Sequence, residues 1–265
     1  MPEIVTSDQL REVQSLPFCY LCGELFSEER PATRDHVPAT SIFALDNRTC
    51  PLILPAHEAC NVAQSNDDER VGQMLALMHG KPPPEGNLLL DPVVVKDTSS
   101  GTTVGGIGKV DLTGFVIRCL RAFHATLYRQ FLPDRSETFF SLSHAVPSGT
   151  LTDSGQIRFD AIPKVHRSLV RKIRENRLAG KLDRIECRDG ECKYDCVWDR
   201  LDDGRPACLF ALQIYDLADF GATGVTTPRG CVGIYCPPDG FPPGATRRSF
   251  LDLGHIRMDE FNPFD

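Results

Sequence analysis

Apolar residues recur at helical spacing in two stretches of the chain. Within residues 113–131 they lie three or four positions apart and Pro133 ends the pattern, so we predict an amphipathic helix there. Its apolar positions are Ile117, Leu120, Phe123, Leu127 and Phe131. His124 lies beside this apolar stripe and is expected to be structural. A second helix is predicted over residues 164–180, with Gly180 as its C-cap.

Short apolar runs after residue 87 predict strands. Two of them, residues 88–90 and 93–95, flank an Asp-Pro pair. Residues 99–108 are rich in Gly, Ser and Thr and predict a loop or hairpin tip. We expect these runs to belong to a domain that contains both helices and strands.

A longer set of strands is predicted over residues 183–216. The Asp-Gly pairs at 189–190 and 203–204 are signals of type I′ turns between such strands. Residues 208–215 are expected to form the most buried strand. The remainder of the chain, with its paired prolines, reads as loop-rich and allows no further prediction.

A proline-rich segment divides the chain. Residues 80–86 read Gly-Lys-Pro-Pro-Pro-Glu-Gly, and consecutive prolines exclude a helix and indicate a linker. We therefore expect a small module over residues 1–79 and a second domain over residues 87–265. The predicted fold class is α+β.

Composition indicates a folded, water-soluble protein. Among the 265 residues no apolar run approaches the ~20 residues of a membrane span, and the N-terminus lacks the features of a signal peptide, so we expect a cytoplasmic protein without membrane contact. Eleven cysteines in such a protein favour metal binding and scattered buried thiols over disulfides. A formal net charge of −7 disfavours nucleic-acid binding unless positive charge is concentrated locally or a metal ion or partner assists.

Two ligand pairs point to a structural zinc ion. Cys19 and Cys22 are separated by two residues, as are His57 and Cys60. This spacing lets both side chains of each pair face one ion, and four such ligands complete the tetrahedral shell that Zn²⁺ prefers. A redox pair or two core thiols would explain the first pair but not the second.

An Asp-His dipeptide lies between the two halves of this metal clip. A nuclease needs a base near neutrality and a divalent ion held by oxygen ligands. His36 is a candidate for the base, and Asp35 and the side-chain oxygen of Asn61 are candidates for the ligands. The alternative is a surface pair without catalytic function, which is the commonest fate of such dipeptides.

Together these motifs resemble the HNH endonuclease family, which is built on the ββα-metal fold. The resemblance rests on C-x-x-C, D-H-x-P and C-N-x-x-x-S and covers about a quarter of the chain. It implies that His36 activates water and that Asp35 and Asn61 hold a catalytic Mg²⁺ or Mn²⁺. His57 stands where a third cysteine is more usual. The middle Asn of the family motif has Asn47 as its nearest candidate, with a role in bracing the loop that orients the base.

The remaining candidates concern charge and thiols. The strongest basic patch lies in the second predicted helix, where Arg171, Lys172 and Arg174 are candidates for contacting phosphates. The acidic residues 67–69 are expected to form a solvated helix face. The other grouped cysteines match no common zinc spacing and are expected to be small core residues: Cys187, Cys192, Cys196, Cys208, Cys231 and Cys236.

These observations leave three functions open. The first is a metal-dependent endonuclease that hydrolyses phosphodiester bonds in DNA, with RNA as an alternative substrate. The second is a zinc-finger-like nucleic-acid-binding module without catalysis. The third is a nuclease effector within a larger defence assembly, in which residues 87–265 act as a sensor or docking domain for a protein partner.

Overall fold

The computed structural model shows a mixed α+β protein. It describes the following residues: 4–12, 14–43, 52–78, 91–96, 103–108, 110, 112–133, 136–142, 150–151, 157–158, 164–187, 192–201, 203–214, 231–242 and 245. The predicted α+β class is confirmed at this level.

Within those residues the helices and the strands are each numbered in chain order. The helices are α1 (Ser7–Glu12), α2 (Glu58–Val62), α3 (Ser65–Met78), α4 (Leu112–Tyr128) and α5 (Lys164–Leu178), with a 3₁₀ turn at Thr40–Ile42. The strands are β1 (Ala32–Val37), β2 (Leu52–His57), β3 (Asp91–Lys96), β4 (Thr103–Gly108), β5 (Glu137–Leu142), β6 (Thr150–Leu151), β7 (Ile157–Arg158), β8 (Asp183–Cys187), β9 (Cys192–Arg200), β10 (Pro206–Ile214) and β11 (Cys231–Cys236).

The N-terminal region is built on an antiparallel pair of strands followed by two helices. β1 pairs with β2 so that Asp35 lies opposite Leu54 and His36 opposite Ile53. Alternate residues of β2 are fully buried, because successive side chains of a strand point to opposite faces. α3 then packs closely on the 3₁₀ turn. A Cβ at Gly72 would lie 2.5 Å from the carbonyl oxygen of Ser41, so a side chain there cannot be accommodated.

A five-stranded antiparallel sheet forms the centre of the rest of the molecule. Its strand order is β5-β11-β10-β9-β8. One face packs on α4 and on the N-terminal region, and the other packs on α5 through Leu169 and Ile173. Because both faces are covered, strands β10 and β11 are mainly apolar on both sides rather than alternating. Strand β9 does alternate: Tyr194, Cys196 and Trp198 belong to the core on one face, and Lys193, Asp195 and Asp199 occupy alternate positions.

The N-terminal region and the central sheet share one hydrophobic core. Its members run from Leu52 and Leu54 of β2 through Phe123 of α4 to Phe210 of the sheet. Ile4 also forms a parallel bridge to Ile185 at the edge strand β8. The linker that we predicted over residues 80–86 lies outside the described residues.

Several predicted elements are confirmed. α4 spans residues 112–128, against the predicted 113–131, and α5 covers most of 164–180. At the end of α5 the N–H of Lys181 donates to the carbonyl of Asn176 and that of Gly180 to Arg177, which is the pattern of a glycine C-cap. The grouped cysteines are buried in strands, as expected.

Other predictions are wrong. Residues 103–108, part of the stretch expected as a loop or hairpin tip, form strand β4, which pairs antiparallel with β3. The turn at 203–204 is not type I′, because positive φ occurs at Gly204 but not at Asp203. Strand β11 was not predicted, although it is buried at every position and lies beside β10. The runs at 88–90 and 189–190 lie outside the part of the chain that the structure describes.

None of the described helices is both long and apolar enough to cross a lipid bilayer.

Candidate metal centre and the Asp-His strand

A tight knuckle carries the first two metal-ligand candidates. The segment between Phe18 and Leu25, which form an isolated antiparallel bridge, turns back on itself. Within it the N–H of Gly23 donates to the carbonyl of Cys19 at 2.8 Å. Gly23 has a φ of +81°, and the ring of Phe131 lies 2.6 Å from the position of a Cβ. A glycine is therefore required directly after Cys22, both for the turn and for the contact with Phe131.

The second pair of candidates lies where β2 passes into α2. His57 is the last residue of β2 and the N-cap of α2, and Cys60 follows in the first turn of that helix. The backbone N–H of His57 lies 3.4 Å from Sγ of Cys19 and donates to it. This hydrogen bond joins the knuckle to the strand-helix junction, so both ligand pairs face each other.

The four ligand atoms form one cluster. One ligand atom from each of Cys19, Cys22, His57 and Cys60 lies within 4.8 Å of all the others. Nδ1 of His57 lies 3.4 Å from Sγ of Cys22, so this ring nitrogen faces the sulfurs. Sulfur ligands of a tetrahedral zinc ion with bonds of about 2.3 Å lie roughly 3.8 Å apart. The cluster is therefore compatible with a bound metal such as zinc.

The electrostatics of the cluster also fit a cation. Burial, and next the neighbouring thiols of Cys19 and Cys22, raise the pKa of Cys60 to about 12. Without a metal ion the thiol of Cys60 therefore remains protonated at neutral pH. A soft divalent cation offsets the repulsion between the thiolates, and three thiolates with one imidazole are donors that zinc prefers.

An arginine and an aromatic ring flank this cluster. Nη2 of Arg30 lies 3.4 Å from Nδ1 of His57, and Arg30 also forms an ion pair with Glu24. The ring of Phe26 meets the His57 ring edge to face at a centroid distance of 5.0 Å. Three thiolates around one divalent ion carry a net charge of −1, which the guanidinium of Arg30 partly offsets. The Glu24 carboxylate, and to a lesser extent Cys22 and Cys60, raise the pKa of Arg30.

His36 lies on β1, between the two halves of the metal clip in sequence. Its side chain is partly exposed, and burial lowers its pKa below the usual value although the adjacent Asp35 acts in the opposite direction. The positive charge of Arg34 adds a smaller lowering effect. His36 is therefore neutral at pH 7, which is the state in which an imidazole can accept a proton.

Asn61 reaches the same strand from α2. Its side-chain amide donates to the backbone carbonyl of Arg34 at 3.4 Å. The residue predicted to serve the catalytic ion is therefore in contact with the strand that carries Asp35 and His36. Asn47, the remaining candidate from the motif, lies outside the described residues.

Asp35 is buried in a network that the sequence did not reveal. Its two carboxylate oxygens accept hydrogen bonds from the hydroxyl of Tyr20 and from Nη2 of Arg118, both at 2.5 Å. Arg118 also donates through Nε to Tyr20 at 3.0 Å and forms an ion pair with Asp68. Burial is the main cause that raises the pKa of Tyr20, so the hydroxyl stays protonated and donates.

This network bears on the catalytic ion implied by the resemblance. A guanidinium in contact with a carboxylate opposes the binding of a second cation to it. Asp35 in this arrangement therefore does not fit a divalent ion, whereas the sulfur-rich cluster fits zinc. The network also corrects a prediction, because Asp68 lies buried against Arg118 and not on a solvated helix face.

Arg118 could not have been identified from its spacing. It lies in α4 beside an apolar stripe, and an arginine at such a position is normally expected to be partly exposed to solvent. In the structure Arg118 is only 4% exposed, and both Asp35 and Asp68 face its guanidinium. For Tyr20 the only indication in the sequence was weak, namely its position between the two cysteines of the knuckle.

The predicted phosphate contacts lie on the solvent side of α5. Arg171 and Arg174 are exposed, and Lys172 is partly buried. Arg171 lies within 3.9 Å of Glu175, one turn along the helix. His124, predicted as structural, is buried with Nδ1 3.0 Å from the Tyr235 hydroxyl, and burial lowers its pKa to about 3.

Comparison with known proteins gives no family assignment. No protein-family model, no curated protein and no solved structure matches this chain significantly.

Proposed function

We propose that this protein is a metal-dependent nuclease of HNH type that hydrolyses phosphodiester bonds, with DNA as the principal substrate. The observation that supports this best is the cluster of Cys19, Cys22, His57 and Cys60, whose ligand atoms lie within 4.8 Å of one another. A clip of this kind joins the knuckle to the β2–α2 junction. β2 pairs with β1, which carries the Asp-His pair, and α2 carries Asn61.

In this proposal His36 is the general base. A neutral imidazole accepts a proton from water, and the water oxygen then forms a bond to phosphorus while the bond from phosphorus to the 3′-oxygen breaks. The products are 5′-phosphate and 3′-hydroxyl ends. The lowered pKa of His36 favours this function, because a base must be unprotonated at the working pH.

The resemblance to HNH endonucleases assigns Asp35 and Asn61 as ligands of a catalytic Mg²⁺ or Mn²⁺, which would supply stabilisation of negative charge at phosphorus and at the leaving oxygen. In this structure the Arg118 guanidinium occupies the Asp35 carboxylate, so Asp35 does not fit that role in the present arrangement. For Asp35 to act as a ligand, Arg118 would have to release it. The zinc ion has a separate role in the proposal, which is to join the knuckle to the β2–α2 junction.

The exposed arginines of α5 are the proposed source of affinity for the phosphate backbone. The protein carries a net charge of −7, so its positive charge must act locally. Arg171 and Arg174 lie three residues apart on one side of α5, while Ile173 faces the sheet.

A second candidate function is a zinc-stabilised binding module without catalysis. The hydrogen bond from Arg118 to Asp35 favours this function, because it occupies the carboxylate of the Asp-His pair.

A plasmid-nicking assay distinguishes the two functions. The nuclease proposal predicts conversion of supercoiled plasmid to nicked and linear forms in Mg²⁺ or Mn²⁺, and none after chelation of these ions under conditions that leave zinc bound. Single- and double-stranded DNA and RNA tested in parallel report the substrate class. Retained binding of DNA without any cleavage in either ion would favour the non-catalytic module.

A further inference from the structure

The solvent face of β1 carries an arginine next to the proposed general base. Successive residues of a strand point to opposite faces, so Arg34 and His36 share one face of β1. Arg34 is exposed and His36 partly exposed, whereas Asp35 between them is buried against Arg118. Two positions along a strand span about 6.7 Å, so the long side chain of Arg34 can reach the space in front of the His36 ring.

The facing positions of the partner strand are uncharged. Pro55 lies opposite Arg34 and Ile53 opposite His36 in the pairing of β1 with β2, and both are partly exposed. The carboxylate of the Asp-His pair is directed to the inner face, where it accepts hydrogen bonds from Arg118 and from the knuckle. It therefore does not offset the charge of Arg34 on the outer face.

Arg34 differs in this respect from the other arginines near the metal cluster. The described residues between positions 14 and 78 include three arginines. Arg30 forms an ion pair with Glu24, and Arg70 forms one with Asp67. The guanidinium of Arg34 forms no hydrogen bond or ion pair with any residue that the structure describes. Its donors are therefore available to a ligand.

Two contacts relate Arg34 to the residues of the proposed reaction. The side-chain amide of Asn61 donates to the Arg34 carbonyl at 3.4 Å and so holds the backbone of β1 at this position. Burial is the main cause that lowers the pKa of His36, and the positive charge of Arg34 adds to this effect. The guanidinium thus acts on the imidazole, and it can bind an anion in front of it.

The spacing suits a phosphodiester. A general base contacts its water at about 2.6–3.2 Å, and a water oxygen placed for attack lies about 3–3.5 Å from the reacting atom. Phosphorus would then lie roughly 5–6 Å from the His36 ring nitrogen, within reach of Arg34. The planar fork of a guanidinium matches two phosphate oxygens.

We propose that Arg34 binds the non-bridging oxygens of the phosphate that is attacked by the water on His36. The proposal rests on the nuclease function proposed above and adds a residue that contacts the substrate. Arg34 would hold phosphorus in front of the water and offset the negative charge that develops on its oxygens in the transition state.

Single-turnover cleavage at saturating plasmid DNA tests the proposal. Arg34→Met should lower the rate roughly 10- to 100-fold, the effect of losing charge-assisted hydrogen bonds. Arg34→Lys retains the charge without the planar fork and should give an intermediate rate. Arg205→Met is the matched control, because it changes the net charge equally on the exposed 203–205 turn, and it should cleave like the wild type. The melting temperature of Arg34→Met should match the wild type, since Arg34 is exposed and Asn61 contacts its backbone.

Fluorescence anisotropy of labelled duplex DNA without Mg²⁺ or Mn²⁺ measures binding separately from cleavage. Arg34→Met should reduce the slope of log affinity against log salt by about 0.9 relative to Arg205→Met. Equal saturating rates or equal salt slopes for Arg34→Met and Arg205→Met would overturn the inference, while cleavage by the wild type would still support the nuclease proposal. Absence of cleavage by the wild type in either ion would instead contradict the nuclease proposal, and the salt slope alone would then decide whether Arg34 binds phosphate.

Discussion

The sulfur atoms of Cys19, Cys22 and Cys60 repel one another once they ionise. This repulsion favours either protonated thiols or a bound cation. Burial and the neighbouring thiols keep Cys60 protonated, with a pKa of about 12, in the metal-free state. A divalent ion reverses that balance because it stabilises the thiolates directly. Occupation of the cluster by such an ion would therefore contribute to the stability of the N-terminal region.

Cysteine substitution tests this role. Cys60→Ser should lower the zinc content from about one ion per chain towards zero and should unfold the N-terminal region, since structural zinc contributes on the order of 10 kcal/mol in small modules. Mass spectrometry of the native protein and thermal unfolding measure the two effects. Cys187→Ser is the matched control, because Cys187 is buried in β8 outside the cluster. A zinc-free preparation with an intact N-terminal region would disprove the assignment.

The pH dependence of cleavage follows from the environment of His36. Burial lowers the pKa of His36 below its ordinary value of about 6.5. A base is active when unprotonated, so the value of kcat/KM should be on its plateau at pH 7 and should fall as the pH drops through the lowered pKa. A pH profile from 5 to 8 by initial rates measures this. An acidic limb centred above pH 7 would contradict it.

At the scale of elements, close packing of α3 on the 3₁₀ turn fixes the position of the helices that follow β2. The contact depends on the absence of a side chain at Gly72. Gly72→Ala should destabilise the protein by about 1–3 kcal/mol, because the added methyl meets backbone atoms that cannot rotate away. Urea unfolding measures the change. An unchanged midpoint would show that α3 shifts without cost.

The basic face of α5 is a second feature at this scale. Replacing Arg171, Lys172 and Arg174 together by Ala should weaken DNA binding and reduce the slope of log affinity against log salt by about 0.9 for each lost phosphate contact. Cleavage at saturating DNA should survive. Salt titrations by fluorescence anisotropy measure the slope. An unchanged slope would indicate that these side chains are only solvated and would favour a partner protein as the source of affinity.

The sequence predicted elements well where one face of each element is apolar. α4 and α5 have a clear 3.6-residue period, and their positions were predicted to within a few residues. β11 was missed because a strand covered on both faces has no period-2 alternation to detect. β4 was missed because its Gly-rich sequence resembles a loop, and only pairing with β3 makes it a strand.

Prediction of the site succeeded and failed for different reasons. The four candidate metal ligands could be recognised from the sequence, because two ligands separated by two residues can face one ion. Arg118 and Asp68 were not recognisable, since their contact with Asp35 depends on how α4 packs against β1, which no local pattern encodes. The expected solvated face at residues 67–69 was wrong at Asp68 for the same reason, whereas the Asp67 side chain is 41% exposed.

At the scale of the whole molecule, Arg118 joins the two parts of the chain. It belongs to α4, which packs on the central sheet, and it holds Asp35 of β1 and Asp68 of α3. One buried cation therefore offsets two buried carboxylates across the contact. This network lies where α4 meets the N-terminal region, beside the apolar core that the two parts share.

Removing this cation should be costly. Arg118→Met leaves Asp35 and Asp68 buried without their cation, and we expect a loss of about 3–5 kcal/mol in the free energy of unfolding. Arg205→Met removes a comparable but exposed pair and should cost less than about 1 kcal/mol. Urea unfolding of both variants compares them. Equal midpoints would show that the buried network adds nothing to stability.

The measurement that tests the nuclease proposal most directly is single-turnover cleavage of DNA by the wild type and by His36→Ala, with Thr33→Ala of the same strand as control. Zinc content should be equal in all three proteins, because neither substitution touches the cluster. The melting temperature of His36→Ala should match the wild type, and that of Thr33→Ala should fall slightly, because the Thr33 hydroxyl donates to the Ala56 carbonyl. We predict that His36→Ala cleaves about 10² to 10⁴ times more slowly, the usual effect of losing a general base, and that Thr33→Ala cleaves like the wild type. Cleavage by His36→Ala at the wild-type rate would contradict the proposal.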